Sequence, residues 1–383
     1  MLLTVSIVLG FKREMVNKIT GLTTQIVISN VGRNASNEQE PVAIGEDTLR
    51  AIKNLPFVKQ LQRTAFKNGL LKMEKENEGI LLKGVGEEYD FGFIGKYITR
   101  GRLLQFKTGE ASKEIMISEA LASRMDLKLN TKILVYFIAQ RQVYDSLLRE
   151  TITKSLPLAR TFTVCGIFKT NFADFDKTLS IVDIRQIQNV NGWDSTMAGS
   201  YEIILDDFNR IEESQATMEE LVGYNYDVSN IKQIYSNIFI WLDKLDINGV
   251  IVIVLMILVA TINMITALLI LILERTNMVG LVKALGMNNA SVRKIFLYIS
   301  LRLIGRGMLW GNLLGIGLCL LQYYFKIVWM NSETYYVDYI AIEINWYYFL
   351  WLNIGTFVTC AIMLFLPTLI ITKLTPVKTL KFD

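Results

Sequence analysis

The chain has 383 residues, 40 Lys and Arg against 36 Asp and Glu, a formal net charge of +4 and no histidine. So small a charge, with no Lys/Arg block and no aromatic–basic alternation, excludes a nucleic-acid partner. The missing histidine excludes zincin-type metal sites and Ser-His-Asp or Cys-His catalysis. Half of the residues are hydrophobic (51%) and a fifth charged (20%), but the two kinds are segregated: 12–246 reads as a soluble domain and 249–372 as long apolar runs.

Leu2–Phe11 is an apolar run about half a membrane span long. It lacks the basic flank and small-residue cleavage site of a signal peptide. We expect the outer half of a first span whose beginning this sequence lacks. Phe11, Met15, Ile19 and Leu22 then share one helical face, as do Ile231, Ile234, Ile238, Trp241, Leu242 and Leu245 at the other end of the soluble part. Each stretch abuts a membrane run. Two stalk helices, within 1–23 and over 231–248, are expected to pack together; lying flat on the membrane is the alternative.

Between the stalks, 24–230 carries strand-like runs at Gln25–Ser29, Gly79–Val85, Glu114–Ser118, Lys132–Ile138, Thr161–Phe168 and Tyr201–Leu205. Helical patterns fall at Glu46–Asn54, Glu119–Arg124 and Arg210–Leu221. Without a strict βαβ rhythm this predicts an α+β domain in two subdomains, with loop tips at Arg33–Gln39 and Glu74–Glu78. Cys165 reads as a core residue, and with Cys319 and Cys360 in apolar runs no disulfide framework is implied. No P-loop or G-x-S-x-G motif is present. Glu87, Glu88 and Asp90 read as a solvated face.

Gly249–Leu273 is 25 residues without a charge, roughly 37 Å as a helix, and so long enough to cross a bilayer. Gly307–Phe325 and Ile344–Thr372 supply 19 and 29 more uncharged residues. The predicted order is a second span at 249–273, a loop at 274–294, a third span within 295–326, a loop at 327–343, a fourth span at 344–372 and a tail at 373–383. The 274–294 loop has Arg275, Lys283, Arg293 and Lys294 against Glu274, whereas 327–346 has Glu333, Asp338 and Glu343 and no base. By the positive-inside rule the first loop and the tail are cytoplasmic, and the second loop and the α+β domain are external. Tyr323, Tyr324, Trp329, Trp346, Tyr347 and Trp351 mark the external interface. Lys12, Arg13 and Lys18 sit poorly with this assignment.

Inside the spans, Asn263 and Thr266 lie three apart and suggest interhelical hydrogen bonds rather than a polar path, since Gly249–Leu273 has no ionisable residue. Gly307, Gly311 and Gly315 form a small-residue ridge suited to close helix packing, either as a seam with a second membrane subunit or as ordinary membrane-helix glycine content. Arg302 and Arg306 can snorkel to headgroups.

Glu274-Arg-Thr-Asn-Met-Val-Gly-Leu-Val-Lys-Ala-Leu-Gly286 resembles the "E-x-x-x-x-I-G-x-L-K-A-L-G" loop of the MacB/FtsX-type permease superfamily, with Met278 where many relatives carry a second acid. Ser6–Glu14 is similar to the "S-V-x-N-G-F-x-R-E" exit of the first span in its LolC/LolE branch. Tyr335–Glu343 resembles that branch's "Y-Y-x-D-x-x-P-V" loop, with Ala341 at the proline position, and Thr375–Asp383 its "D-P-V-E-A-L-R-Y-E" ending.

The resemblance implies a four-span α-helical membrane protein, its first span truncated, with the α+β periplasmic domain inserted between spans 1 and 2, in a bacterial inner membrane. It implies a non-catalytic subunit without a cofactor, ATP being bound by a separate cytoplasmic ABC ATPase. That ATPase would dock on Glu274, Arg275, Val279, Gly280, Leu281, Lys283, Ala284, Leu285 and Gly286. A second permease copy or paralogue, a periplasmic lipoprotein carrier and lipoprotein cargo would be the other partners. A MacB/FtsX-like mechanotransmission device for another export or cell-wall process is the alternative within the superfamily. A membrane-anchored receptor or adhesion protein is the alternative outside it.

Overall fold

The computed structural model describes residues 1–31, 39–73, 77–145, 150–331, 335, 337 and 339–364. It divides into two compact units, Met15–Phe239 with Asn331–Asp338, and Met1–Glu14 with Ile240–Met330 and Tyr339–Asp383.

In chain order the first unit contains the end of α1 (Leu2–Leu22), β1 (Ile26–Asn30), α2 (Glu46–Lys53), β2 (Val58–Lys72), β3 (Asn77–Val85), β4 (Ile98–Gly101) and β5 (Glu114–Ser118). It continues with α3 (Glu119–Arg124), β6 (Lys132–Asp145), β7 (Glu150–Phe168), α4 (Ala173–Thr178), β8 (Leu179–Asp183), α5 (Ile184–Asn191), β9 (Ser200–Leu205), α6 (Ile211–Val222), β10 (Tyr226–Asn230) and α7 (Ile231–Ile234). The local signals are ordinary. Ser118 caps α3 by accepting from the Leu121 N–H, Asp183 caps α5, and Gly192 closes α5 at φ 69°.

All ten strands belong to one mixed sheet, ordered β10-β1-β9-β2-β3-β8-β5-β7-β4, with β6 bridging β2 and β7. Among these pairs β3–β8 and β5–β7 are parallel and the others antiparallel. The bridge matters, because β2, β3, β8, β5, β7 and β6 then form a closed circuit that removes edges on that side. Gly69 permits closure: a Cβ there would lie 2.6 Å from Val135 and 2.9 Å from Leu82. Beyond the circuit, β6 and β7 run on as a two-stranded hairpin to Asp145↔Glu150.

The expected two subdomains are thus one continuous sheet, because β2 is long enough to serve both the closed circuit and the β9-β1-β10 extension. Two expected loop tips also change. Asn77 and Glu78 begin β3, and Gln39 is tied to the sheet, its Oε1 accepting from the Phe66 N–H at 2.7 Å. Residues 33–38 and 74–76 of those tips lie outside the described residues.

The second unit holds the start of α1 and the helices α8 (Ser236–Glu274), α9 (Thr276–Ala284), α10 (Asn289–Phe325) and α11 (Trp346–Met363). Among the described residues three helices, α8, α10 and α11, are long and apolar enough to cross a membrane. Of the expected fourth span, 365–372 lies outside the described residues, as does the 373–383 tail. The stalk at 231–248 is not one helix, because Tyr235 (φ −111°, ψ 40°) separates α7 from α8. The apolar face of α1 is buried at Phe11, Met15, Ile19 and Leu22. Phe11 meets Trp241 edge-on at 5.7 Å, and the Lys12 ammonium lies 3.2 Å from Asp243 and 2.6 Å from Asp246.

Candidate functional site

The segment Glu274–Gly286 is built from the backbone outward. α8 ends at Glu274, Arg275 (φ −102°) breaks the helix, and α9 starts at Thr276. α9 is stopped by Gly286 at φ +97°, with the Met287 N–H donating to the Val282 carbonyl at 3.2 Å. A Cβ on Gly286 would meet nothing within 4 Å. Glycine is therefore required for its conformation, not for space. Asn288 then caps α10, its Oδ1 accepting from the Ser291 N–H at 2.8 Å.

One face of α9 holds it to the membrane helices. Val279 (1% exposed) packs in a cluster with Leu268, Ile272, Val292, Phe296 and Cys360, and Gly280 is buried beside it. The opposite face is open. Met278, Leu281 and Leu285, at spacings of three and four, are 47%, 55% and 80% exposed. Glu274, Arg275 and Ala284 are exposed, and Lys283 is half-buried, which lowers its pKa. Met278, Leu281 and Leu285 thus form an exposed apolar stripe on a loop between spans.

The polar and small residues of the spans divide differently from expectation. Thr266 does not reach another helix; its hydroxyl donates to Ile262 O of α8 itself at 3.0 Å. Asn263 is exposed and has no hydrogen-bond partner among the described residues. The interhelical bond is made instead by Asn312 and Asn353, Nδ2 to Oδ1 at 2.7 Å between α10 and α11. Single asparagines in apolar runs were the available signal, and their pairing needed the helix register. Gly315 packs on Leu2, a Cβ lying 3.4 Å from its Cδ1, whereas Gly307 and Gly311 face open space.

Two other segments singled out by resemblance meet in space. A Cβ on Gly10 would collide with the Ala341 carbonyl and lie 2.7 Å from the Glu343 N. The bare glycine lets the Glu343 N–H donate to Ser6 O at 3.0 Å, and Arg13 pairs with Glu343 at 3.1 Å. Gln322 of α10 holds the same loop through Val328 and Ile340. In the sheet unit, sequence reasoning passed over a buried ion pair, Lys83–Glu202, at 2.9 Å and 2–3% exposure. Burial pushes the Cys165 thiol up to about 11, which leaves it unreactive.

Residues 250–376 match the FtsX-like permease C-terminal family. Over those residues, which include most of its membrane-spanning helices, the chain is similar to the FtsX-like permeases. Members are non-catalytic membrane subunits of ABC transporters and work with an ATPase partner. This permease is a multi-pass membrane protein with a large periplasmic α+β domain, in agreement with the charge asymmetry of its loops. It is 20% identical over 345 residues to the lipoprotein-releasing system transmembrane protein LolC of Xylella fastidiosa (strain Temecula1), covering 87% of this chain and 78% of that protein. To LolE of Haemophilus influenzae it is 21% identical over 360 residues, covering 88% and 80%. Among solved structures, the periplasmic region of MacB from Actinobacillus actinomycetemcomitans aligns at 16% identity and a TM-score of 0.38, covering 59% of this chain and 97% of that one.

Proposed function

We propose that this permease releases lipoproteins from the outer leaflet of the inner membrane to a periplasmic carrier, driven by an ATPase that docks on α9. The observation that carries the reading is the extent of the likeness to LolC and LolE, most of this chain and about four-fifths of theirs. The contact of Gly10 with the Ala341–Glu343 loop supports it, since both segments resemble that branch.

Withdrawing a lipid anchor costs about 0.8 kcal/mol per buried CH₂, so a sixteen-carbon chain costs roughly 12 kcal/mol. One such chain is held only reversibly, but two cost roughly 25 kcal/mol, and ATP-driven force then has to reach the outer leaflet. Met278, Leu281 and Leu285 would receive the ATPase, with Glu274, Arg275 and Lys283 at the rim and Gly286 fixing the end of the helix. ATP would be bound by that partner alone. α8, uninterrupted from Ser236 to Glu274, would carry the displacement outward. Gly307, Gly311 and Asn263 would face a second permease copy or paralogue.

The test is depletion of this protein followed by membrane fractionation. Lipoproteins should accumulate in the inner membrane; normal sorting to the outer membrane would overturn the reading. A pulldown that recovers a cell-wall hydrolase or an outer-membrane duct in place of a lipoprotein carrier would favour the mechanotransmission alternative. A receptor or adhesion protein would retain function without any ATPase.

A further inference from the structure

The periplasmic unit contains a cavity of about 180 Å³ on one face of its sheet. Strand register explains its two-sided chemistry. Val27 on β1 pairs with Glu202 on β9, which pairs with Gln62 on β2; one step along, Ser29, Ser200 and Thr64 form the next row. Phe66 pairs with Lys83, and Leu81 with Leu179. Because these residues share a face, a polar floor of Lys83, Glu202 and Ser200, all at most 2% exposed, adjoins walls of Leu81, Phe66, Val27 and Leu179. Leu22 and Thr23 at the end of α1, Phe175 of α4, and Ile234 and Tyr235 complete the wall. Most of these wall residues are half-buried.

We propose that this cavity is a binding site for a small amphiphile with an apolar body the size of one ring and a head that donates a hydrogen bond. Size sets the first requirement, since a dry apolar cavity of about 150 Å³ accepts benzene. Hydrogen-bond accounting sets the second. The Lys83 ammonium is already directed at Glu202 (3.0 Å), the Leu22 carbonyl (3.5 Å) and the Tyr89 ring (5.1 Å). Glu202 accepts from Lys83 and from Gln62 (3.1 Å), which leaves a carboxylate lone pair for an incoming donor. A hydroxyl fits this floor; a second anion would not.

The occupant would touch Leu22–Thr23 and Ile234–Tyr235, where the chain enters and leaves the sheet. The entry is strained, Thr24 being held at φ +135° with its hydroxyl bonded to Ile203 O at 2.7 Å. Occupancy would stiffen both junctions whatever the cargo.

The test uses the full chain in lipid nanodiscs with methyl-labelled Leu and Ile, titrated with phenol and with benzene. Phenol should give saturable shifts at the Leu81, Leu179 and Ile234 methyls, with benzene clearly weaker. Amide exchange at 23–25 and 231–235 should slow about tenfold at a phenol concentration ten times its Kd. Leu81→Phe and, separately, Val27→Phe should remove the shifts at Leu179 and Ile234. Equal binding of benzene, no saturable shift, or unchanged binding to both filled variants would each overturn the proposal.

Discussion

Truncating the open face of α9 separates docking from folding. Leu281 and Leu285 are 55% and 80% exposed, and burying a whole leucine contributes about 1.5–3 kcal/mol. Covering the exposed parts with a partner would contribute roughly 1–1.5 and 1.5–2 kcal/mol. Allowing for the methyl that alanine keeps, Leu281→Ala with Leu285→Ala should lose about 2–3 kcal/mol of association, or roughly 30- to 150-fold in Kd. Both side chains are mostly exposed, so thermal stability should fall by less than about 1 kcal/mol from the parent. Val279→Ala is the control: at 1% exposure it opens space in the cluster with Leu268 and Phe296 and should cost about 1–3 kcal/mol of stability. The assay is biolayer interferometry of the purified ATPase on nanodisc-held permease, beside thermal unfolding of each variant. Unchanged ATPase affinity in the double variant would refute the docking assignment. A loss of stability equal to that of Val279→Ala would refute the separation of the two faces.

Other perturbations follow from buried and open sites. Lys83→Met leaves the Glu202 carboxylate uncompensated inside the sheet and should cost about 3–5 kcal/mol, whereas Lys83→Met with Glu202→Met should recover most of it; thermal unfolding of the full chain reads both. Burial opposes ionisation of Glu88, but the Arg63 side chain at 2.8 Å and the Arg63 N–H outweigh it and hold its pKa below the usual 4.5. A depressed carboxylate stabilises the fold above its unfolded pKa and loses that contribution as pH falls through the folded value. Since the pair is about a third exposed, Glu88→Gln should cost on the order of 1 kcal/mol at pH 7, with the difference closing below pH 4.5 in a series of melts. A Cβ on Gly311 would meet no atom within 4 Å and the position is exposed, so Gly311→Leu should fold normally. Native mass spectrometry should nevertheless show weaker pairing with a second permease if the Gly307–Gly311 ridge is its seam.

The sequence yields whatever is written in apolar periodicity. α3 and β5 fall within their expected bounds, and the spans stand out because their apolar runs have no competing signal. β2 does not show in the apolar pattern for a physical reason: Gln62, Thr64 and Lys67 are buried, which disguises a strand as polar loop. Gln62 and Thr64 can be buried because Glu202 and Ser200 on the neighbouring strand supply partners, and that pairing exists only once the register does. β6 and β7 run further than the pattern shows because residues 140–145 and 150–155 are largely polar. On α9 the pattern placed the segment, but not which face was covered. Val279 and Leu281 are both aliphatic, and only packing against α8 and α10 sends one inward and leaves the other free.

The three bases after Leu2–Phe11, which seemed to oppose an external domain, show how topology and folding use charge differently. Orientation is set by Lys and Arg in short loops, while a long domain crosses largely regardless of its charges. The 274–294 loop therefore weighs heavily, and Lys12, Arg13 and Lys18, leading into more than 200 residues of domain, weigh little. In the folded chain each has a role unconnected with topology. Lys12 bridges Asp243 and Asp246 of α8, which holds the two stalk segments in register. Arg13 pairs with Glu343 next to the Gly10 contact and so fixes the loop that leads into α11. Lys18, 3% exposed, lies against the Thr170 carbonyl at 3.5 Å and the Tyr97 ring. Neutralising Lys12 should accordingly loosen α1 against α8 without inverting the protein, a distinction that cysteine accessibility from each side of the membrane reads directly. An inverted Lys12→Gln variant would show that these bases carry topological weight after all.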